Sequence, residues 1–207
     1  MAEATARTWE LARDHGVRVR GAVTWAFTFE NQPYFAGFRE LATNGVDKAV
    51  LNVFRMMAML DGDWVRTESN GAMPVRQIVA KSVTDAPDVD AIATRRPREV
   101  DVLLWNYHDA NVPADPAKVA LEVRGLPRVG VAEAVYLMDA GHSNAYAVWQ
   151  RMGGPAKPSA ARQQELVRAG RLQQVVKPRA ITVKDGTATL QMMLARQGVA
   201  LVRLRWD

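Results

Sequence analysis

The sequence predicts a mainly β fold: an antiparallel β-sandwich over residues 63–207, preceded by a short α/β piece over residues 1–62. Three observations carry this expectation. Short β-rich segments recur at 64–69, 76–83, 88–94, 99–107, 117–124, 130–138, 179–184, 187–194 and 198–205, a spacing that suits a sandwich of antiparallel strands. Turn signals separate them, among them Asn70-Gly71, Pro87-Asp88, Asp115-Pro116 and Asp185-Gly186. The last is the clearest hairpin signal, because a two-residue turn needs residues that tolerate positive φ. Before Trp64 the order is helix, buried strand, aromatic loop and helix, as in the last turn of an α/β fold.

Residues 3–14 are rich in helix formers and free of Gly and Pro, with Gly16 placed to stop the helix. The run from Val17 to Phe27 alternates at first and then turns apolar, which reads as a strand entering a buried sheet. Residues 28–46 hold Asn31, Pro33, Gly37, Asn44 and Gly45 and read as a long irregular loop. Asp47 is placed to cap a helix over 48–60, where Val50, Leu51, Phe54, Met57 and Ala58 recur at helical spacing. Within the β-rich part, 143–170 breaks the pattern as two short helical pieces parted by Gly153-Gly154-Pro155. One turn of an α/β fold cannot close a sheet. Residues 17–60 are therefore expected to pack onto the sandwich or to drive self-association into a homo-oligomer.

Composition excludes several function classes. A 48% hydrophobic and 24% charged chain of 207 residues can bury a core without staples. With no cysteine, disulfides, thiolate metal sites and cysteine nucleophiles are ruled out. The same absence points to a reducing, cytoplasmic location, provided that no signal peptide lies upstream. The net charge of +5 is dispersed: Arg95, Arg96 and Arg98 form one short cluster, and Arg203 and Arg205 alternate with apolar residues. Nucleic acid is not expected as a partner. No stretch reaches the ~20 apolar residues of a membrane span, so no membrane partner is expected either. His15, His108 and His142 lack metal-motif spacing. His108-Asp109 has no serine elbow to serve, and neighbours on a strand point to opposite faces.

Two stretches carry a resemblance. GAVTWAFTFENQPYFAGFRELATNGVDKAVLNVFRMM (21–57) resembles the eighth strand, loop and helix of the (β/α)8 TIM barrel in glycoside hydrolase family 39. That family comprises β-xylosidases and α-L-iduronidases. HSNAYAVWQRMGGPAKPSAARQQELVRAG (142–170) resembles a segment in the C-terminal β-domain of the bacterial β-xylosidases, through Asn144, Ala145, Val148, Trp149, Met152, Gly153, Pro155 and Pro158. The second match is the more specific, with several uncommon residues in register. On this resemblance residues 1–62 are helix 7, strand 8 and helix 8 of a barrel, and residues 63–207 are the sandwich.

Such enzymes are retaining hydrolases, whose two carboxyls sit about 5–5.5 Å apart across the sugar. The family's acid/base glutamate lies in an Asn-Glu-Pro motif after the fourth strand, and its nucleophile ends the seventh. This sequence holds no Asn-Glu-Pro and begins beyond the seventh strand, so no catalytic residue is assigned. The resemblance implies a parent that hydrolyses xylosides or xylo-oligosaccharides from the non-reducing end without metal or cofactor, while this chain alone is inactive. Two alternatives stand beside it: a free-standing carbohydrate-binding or interaction module, and a fragment of an iduronidase-like enzyme.

Glu30, just past the presumed eighth strand, is the best local match to an acidic loop residue that binds sugar hydroxyls in the family; otherwise it is a solvated carboxylate. Trp25 would end that strand and stack on a sugar ring or pack in the core. Phe27, Phe29, Tyr34, Phe35 and Phe38, with Trp149 and Met152 at helical spacing, read as packing. A binding platform on the sandwich would draw on Trp64, Trp105, Tyr107, Tyr136 or Trp206.

Overall fold

A computed structural model describes residues 1–24, 26–37 and 40–207. Helix α1 (Ala2–Asp14) opens the chain. Strand β1 (Phe27–Phe29) pairs in parallel with β2 (Glu40–Thr43), which turns at Asn44-Gly45 into β3 (Val46–Asp47). Helix α2 (Ala49–Met57) follows, then β4 (Asp63–Val65), helix α3 (Val75–Lys81) and the long strands β5 (Asp88–Arg96) and β6 (Glu99–Tyr107). Next come β7 (Ala117–Arg124), β8 (Ala132–Met138), α4 (Ala145–Arg151) and α5 (Ala160–Gly170). The chain ends with β9 (Gln173–Ala180), β10 (Thr187–Leu194) and β11 (Val199–Arg205).

The fold is mainly β with antiparallel sheets. Six strands form one sheet in the order β4-β5-β6-β11-β8-β9, and β7 pairs with β10 in a separate two-stranded sheet. Side-chain alternation gives the large sheet two apolar faces. Even-numbered residues of β6 and β11, such as Val102, Leu104, Val202 and Leu204, share a core with Val123, Ala188 and Leu194 of the small sheet. Odd-numbered Leu103, Trp105, Val199 and Leu201 face the other way and pack on Ala2 of α1 and on Val53 and Met56 of α2. Each fully buried leucine there contributes about 1.5–3 kcal/mol. Of residues 17–60, α2 packs on this face of the sheet, beside α1 from outside that stretch, while 17–24 are largely exposed.

Turn chemistry follows the sequence. Asp185 and Gly186 have φ of 50° and 74°, and Lys184 and Thr187 exchange backbone hydrogen bonds of 2.9 Å on either side. That is the primed turn that matches strand twist. Pro178 lies in β9, the sheet's edge strand, where a missing N–H breaks no ladder.

Several expectations need correction, among them the strand expected at 179–184, where β9 instead runs over Gln173–Ala180. The 76–83 segment is helix α3, not strand: Pro74 starts it at φ −56° and the run VRQIVAK holds good helix formers, so its apolar residues sit on one turn rather than one pleat. Residues 17–24 have no regular structure, and Val17 and Val23 are exposed; a buried strand needs neighbours on both sides, and among the described residues β1 has only β2. The loop at 28–46 contains the β2–β3 hairpin, whose Asn44 and Gly45 take φ of 51° and 73°. Asp47 does not cap α2, because Lys48 is the capping position and Asp47 instead pairs with Arg55 at 2.6 Å.

Candidate functional site

The loop after β1 is positioned by the helical pair α4–α5. Asn44 clamps it, accepting from Gln32 N at 3.3 Å and donating to Gln32 O at 2.7 Å. Gln163 of α5 donates to Asn44 O at 3.2 Å. Phe35, held at φ 56°, lies with its ring centroid 5.4 Å from both Tyr146 and Trp149 of α4. Trp149 is anchored by its own Nε1–H, which donates to Pro155 O at 3.0 Å. Beneath them Val46, Ala145 and Leu166 form a buried cluster. The two family-like stretches of sequence therefore pack against each other, and the 142–170 unit seats the loop that carries Glu30.

Glu30 itself is exposed immediately after β1, and among the described residues no hydrogen bond or ion pair engages its carboxylate. Trp25 lies outside the described residues, as does Phe38. Tyr34, Phe35, Trp149 and Met152 pack as the sequence reading has them, whereas Phe27 and Phe29, expected to pack, are exposed. Tyr146, which closes the aromatic cluster from α4, was missed; its i, i+3 spacing to Trp149 was the available signal.

His108 and Asp109 do not form a catalytic pair. His108 is buried, with Nε2 2.9 Å from Thr84 O, while Nδ1 accepts from Ala110 N at 3.0 Å. That arrangement assigns the Nε2–H tautomer. Asp109 instead accepts from Val83 N and from the Tyr107 hydroxyl, both at 2.9 Å. Burial, followed by that nearby carboxylate, pushes Tyr107 up to about 12. Among the described residues no three His, Asp or Glu side chains gather as a metal site. No helix among them is long and apolar enough to cross a membrane.

Two carboxyl groups on the large sheet, Glu99 and Asp101, have their pKa values pushed in opposite directions. Burial raises Asp101 to about 6, with Glu99 reinforcing and Arg203 opposing the shift. Burial acts upward on Glu99 too, but hydrogen bonds from Arg205, from protonated Asp101 and from Arg96 outweigh it and bring Glu99 down to about 2. Such a split is the mark of an acid/base pair. Here the surroundings argue for structure. Asp101 is wholly buried and accepts from Arg203 Nε at 2.7 Å, and Glu99 is bracketed by Arg96, Arg203 and Arg205. No sugar could reach between them.

This cluster has a pH signature. Asp101 binds its proton more tightly folded than unfolded, so stability rises as pH falls from about 6 towards its ordinary 3.8. Glu99 works in the opposite sense: its contribution is complete above 4.5 and is lost as pH falls from there towards about 2. Asp101→Asn keeps an acceptor for Arg203 and a donor for Glu99 but cannot titrate. Thermal unfolding of both proteins across pH 3–7 should show the wild-type Tm gaining on the variant between about pH 6 and pH 4.5. Parallel curves through that window would mean that Asp101 is already ionised at its usual pKa.

Comparison with known proteins places these features. The family model described as Glycosyl hydrolases family 39 matches residues 22–188. A β-xylosidase of Caldicellulosiruptor saccharolyticus is 24% identical over 155 residues, covering 72% of this chain and 29% of its own length. The mouse (Mus musculus) α-L-iduronidase is 31% identical over 119 residues, 55% of this chain and 18% of its own. Among solved structures, a monomeric β-xylosidase from Caulobacter crescentus CB15 superimposes with a TM-score of 0.70 at 17% identity, over 95% of this chain and 39% of that one. The chain therefore spans less than a third of either sequence relative and about two fifths of that solved chain.

Proposed function

Since this chain belongs to glycosyl hydrolases family 39, we propose that it is the C-terminal portion of a retaining β-xylosidase-like hydrolase and is inactive on its own. On this reading α1, β1 and α2 within residues 1–62 are the terminal helix, strand and helix of a TIM barrel. Residues 63–207 are the accompanying sandwich. The whole protein would release xylose from the non-reducing ends of xylosides and xylo-oligosaccharides, its paired carboxyls about 5–5.5 Å apart on the remaining barrel strands. Glu30, and Trp25 before it, would border the sugar. Active sites of such barrels lie at the strand C-termini.

The observation that carries this reading is the seating of the β1 loop on the 142–170 unit, through Phe35, Tyr146 and Trp149. The purified chain should release no chromophore above background from a nitrophenyl β-xyloside or a methylumbelliferyl α-L-iduronide. Clear turnover, lost in Glu30→Gln, would overturn the assignment of inactivity. Residues 22–188 can also replace the matched segment of the Caldicellulosiruptor enzyme. That chimera should favour xyloside over iduronide, and Glu30→Gln in it should lower kcat/KM about tenfold or more, the loss of one charge-assisted hydrogen bond.

One observation favours a binding module as a second reading. Of the aromatic candidates on the β-rich part, Trp105 is buried, whereas Trp64 is 58% exposed and lies 6.5 Å from Trp9, centroid to centroid. Retention of the chain on insoluble xylan, abolished by Trp64→Ala, would move the proposal to that reading.

A further inference from the structure

Ion pairing redistributes the chain's positive charge. Arg96, Arg203 and Arg205 are neutralised by Asp61, Glu99 and Asp101 on and beside the large sheet. No such pairing relieves most of the unit formed by α4, α5 and β9. Residues 145–180 carry seven Lys and Arg against one acid, Glu165, so this stretch holds a net +6 and the other 171 residues a net −1. Arg151, Lys157, Arg162, Arg168, Arg171 and Lys177 are exposed, and among the described residues none has an ion pair; Arg179 alone does, with buried Glu133. The three elements are tied together. Helix α4 packs on α5 through Ala145 and Leu166, and Ser143 Oγ, just before α4, accepts from Gln173 N at the start of β9 at 2.8 Å.

Helix stability explains part of this charge. Arg151 and Arg168 lie in the last turns of α4 and α5, and Arg171 follows α5, where the carbonyl end of the helix dipole favours cations. It does not explain Arg162, in the first turn of α5, or Lys157 just before that helix. Cations there face the positive end of the dipole, and the first turn holds no acidic residue to offset them. An anionic ligand relieves both this mismatch and the mutual repulsion of the unpaired cations.

We infer that the α4–α5–β9 surface binds a polysaccharide that carries carboxylate groups, either in backbone uronic acid units or on side groups. The inference rests on the family 39 reading for the ligand being a glycan, and on the charge for its being acidic. Five of the seven cations are arginine, whose planar guanidinium takes a carboxylate through two parallel N–H bonds. Tyr146 on α4 is 43% exposed and offers an aromatic face to a sugar ring. The surface is continuous with the candidate site, because Gln163 donates to Asn44 O at 3.2 Å and Phe35 packs on Tyr146. An acidic polymer held here would run beside the loop that carries Glu30 and be concentrated there. Duplex DNA suits the surface less well: Arg162 and Arg168 stand about 120° apart around α5, not along one helix face that a major groove admits.

The test is titration calorimetry of the 207-residue chain with two acidic polymers, glucuronate-substituted xylan and polygalacturonate. Saturable binding of the xylan alone places the recognised carboxylates on side groups, of polygalacturonate alone in the backbone, and of both in either setting. Reduction of the carboxyl groups to alcohols should abolish binding, and raising NaCl from about 50 to about 200 mM should weaken it about tenfold or more. Lys157→Glu with Arg162→Glu should lower affinity about tenfold or more without loss of thermal stability, because acids suit the start of a helix. Lys118→Glu with Arg128→Glu, an equal change in net charge at exposed positions elsewhere, should leave affinity within about twofold, since the effect of a charge fades beyond the Debye length. Four results would overturn the inference: binding of neither acidic polymer, undiminished binding of the reduced polymers, equal losses in the two double variants, or duplex DNA bound as tightly at the same concentration of charge. No arm reads xyloside turnover, so failure of the hydrolase assignment and failure of acidic-glycan binding appear in different experiments.

Discussion

Replacing Asp88 by Ala should cost about 3–5 kcal/mol, the usual penalty for stranding one half of a buried charge pair. Asp88 is wholly buried at the start of β5 and accepts three hydrogen bonds: from Arg7 Nη2 at 2.6 Å, Met73 N at 2.8 Å and Trp105 Nε1 at 2.9 Å. These tie α1, the segment before α3 and the centre of the large sheet to one carboxylate. Arg7 is itself buried, lies 5.7 Å over the Trp105 ring, and already leaves its Nε without a partner. Without Asp88 the guanidinium keeps only Asp90 at 3.0 Å and Glu10 at 2.9 Å.

The loss should fall first on α1. Amide exchange along residues 2–14 should accelerate at denaturant concentrations that leave β6 and β11 protected, and the global urea midpoint should drop as well. Arg7→Met combined with Asp88→Asn removes both charges while keeping an acceptor for Trp105. It should recover much of the stability, because paired removal avoids the stranded ion. Equal loss in the single and double variants would show that packing, not charge, holds α1.

The same pair shows where sequence reading succeeds and where it stops. The strands 99–107 and 199–205 were legible because their apolar runs are long enough to be buried on both faces, and Asp185-Gly186 because its backbone requirement is local. Helix α3 was misread because a seven-residue run with apolar residues at 75, 78 and 79 fits either period, and Pro74 decides it. The 142–170 unit was legible as two helices, yet its job of seating the β1 loop was not, since that depends on Phe35 arriving from more than a hundred residues away. The burial of Asp88 was hidden for the same reason: its partner Arg7 is 81 residues distant. Of the two candidate site residues, Glu30 is exposed just after β1, and Trp25 falls outside the described residues.

Asn52 offers the second large effect, and it bears directly on the candidate site. It is wholly buried on α2 and donates through Nδ2 to Ser143 O at 2.8 Å and to Gly170 O at 2.7 Å, while Oδ1 accepts from Arg55 at 2.9 Å. One amide thus joins α2 to the start of α4 and the end of α5, the unit on which the Glu30 loop rests. Asn52→Leu has similar bulk but strands two buried carbonyls at about 1–3 kcal/mol each, so chemical denaturation should register a loss of about 2–6 kcal/mol. Asn52→Asp should be worse at neutral pH, because it aims a buried negative charge at two carbonyl oxygens instead of a donor. In the chimeric hydrolase either change should also lower kcat/KM at temperatures well below unfolding, since the loop loses its seat before the sheet loses its core. A variant that destabilises the chain without touching catalysis would mean that α4–α5 serves the β-rich part alone, and that the loop after β1 is held by something other than the unit beneath it.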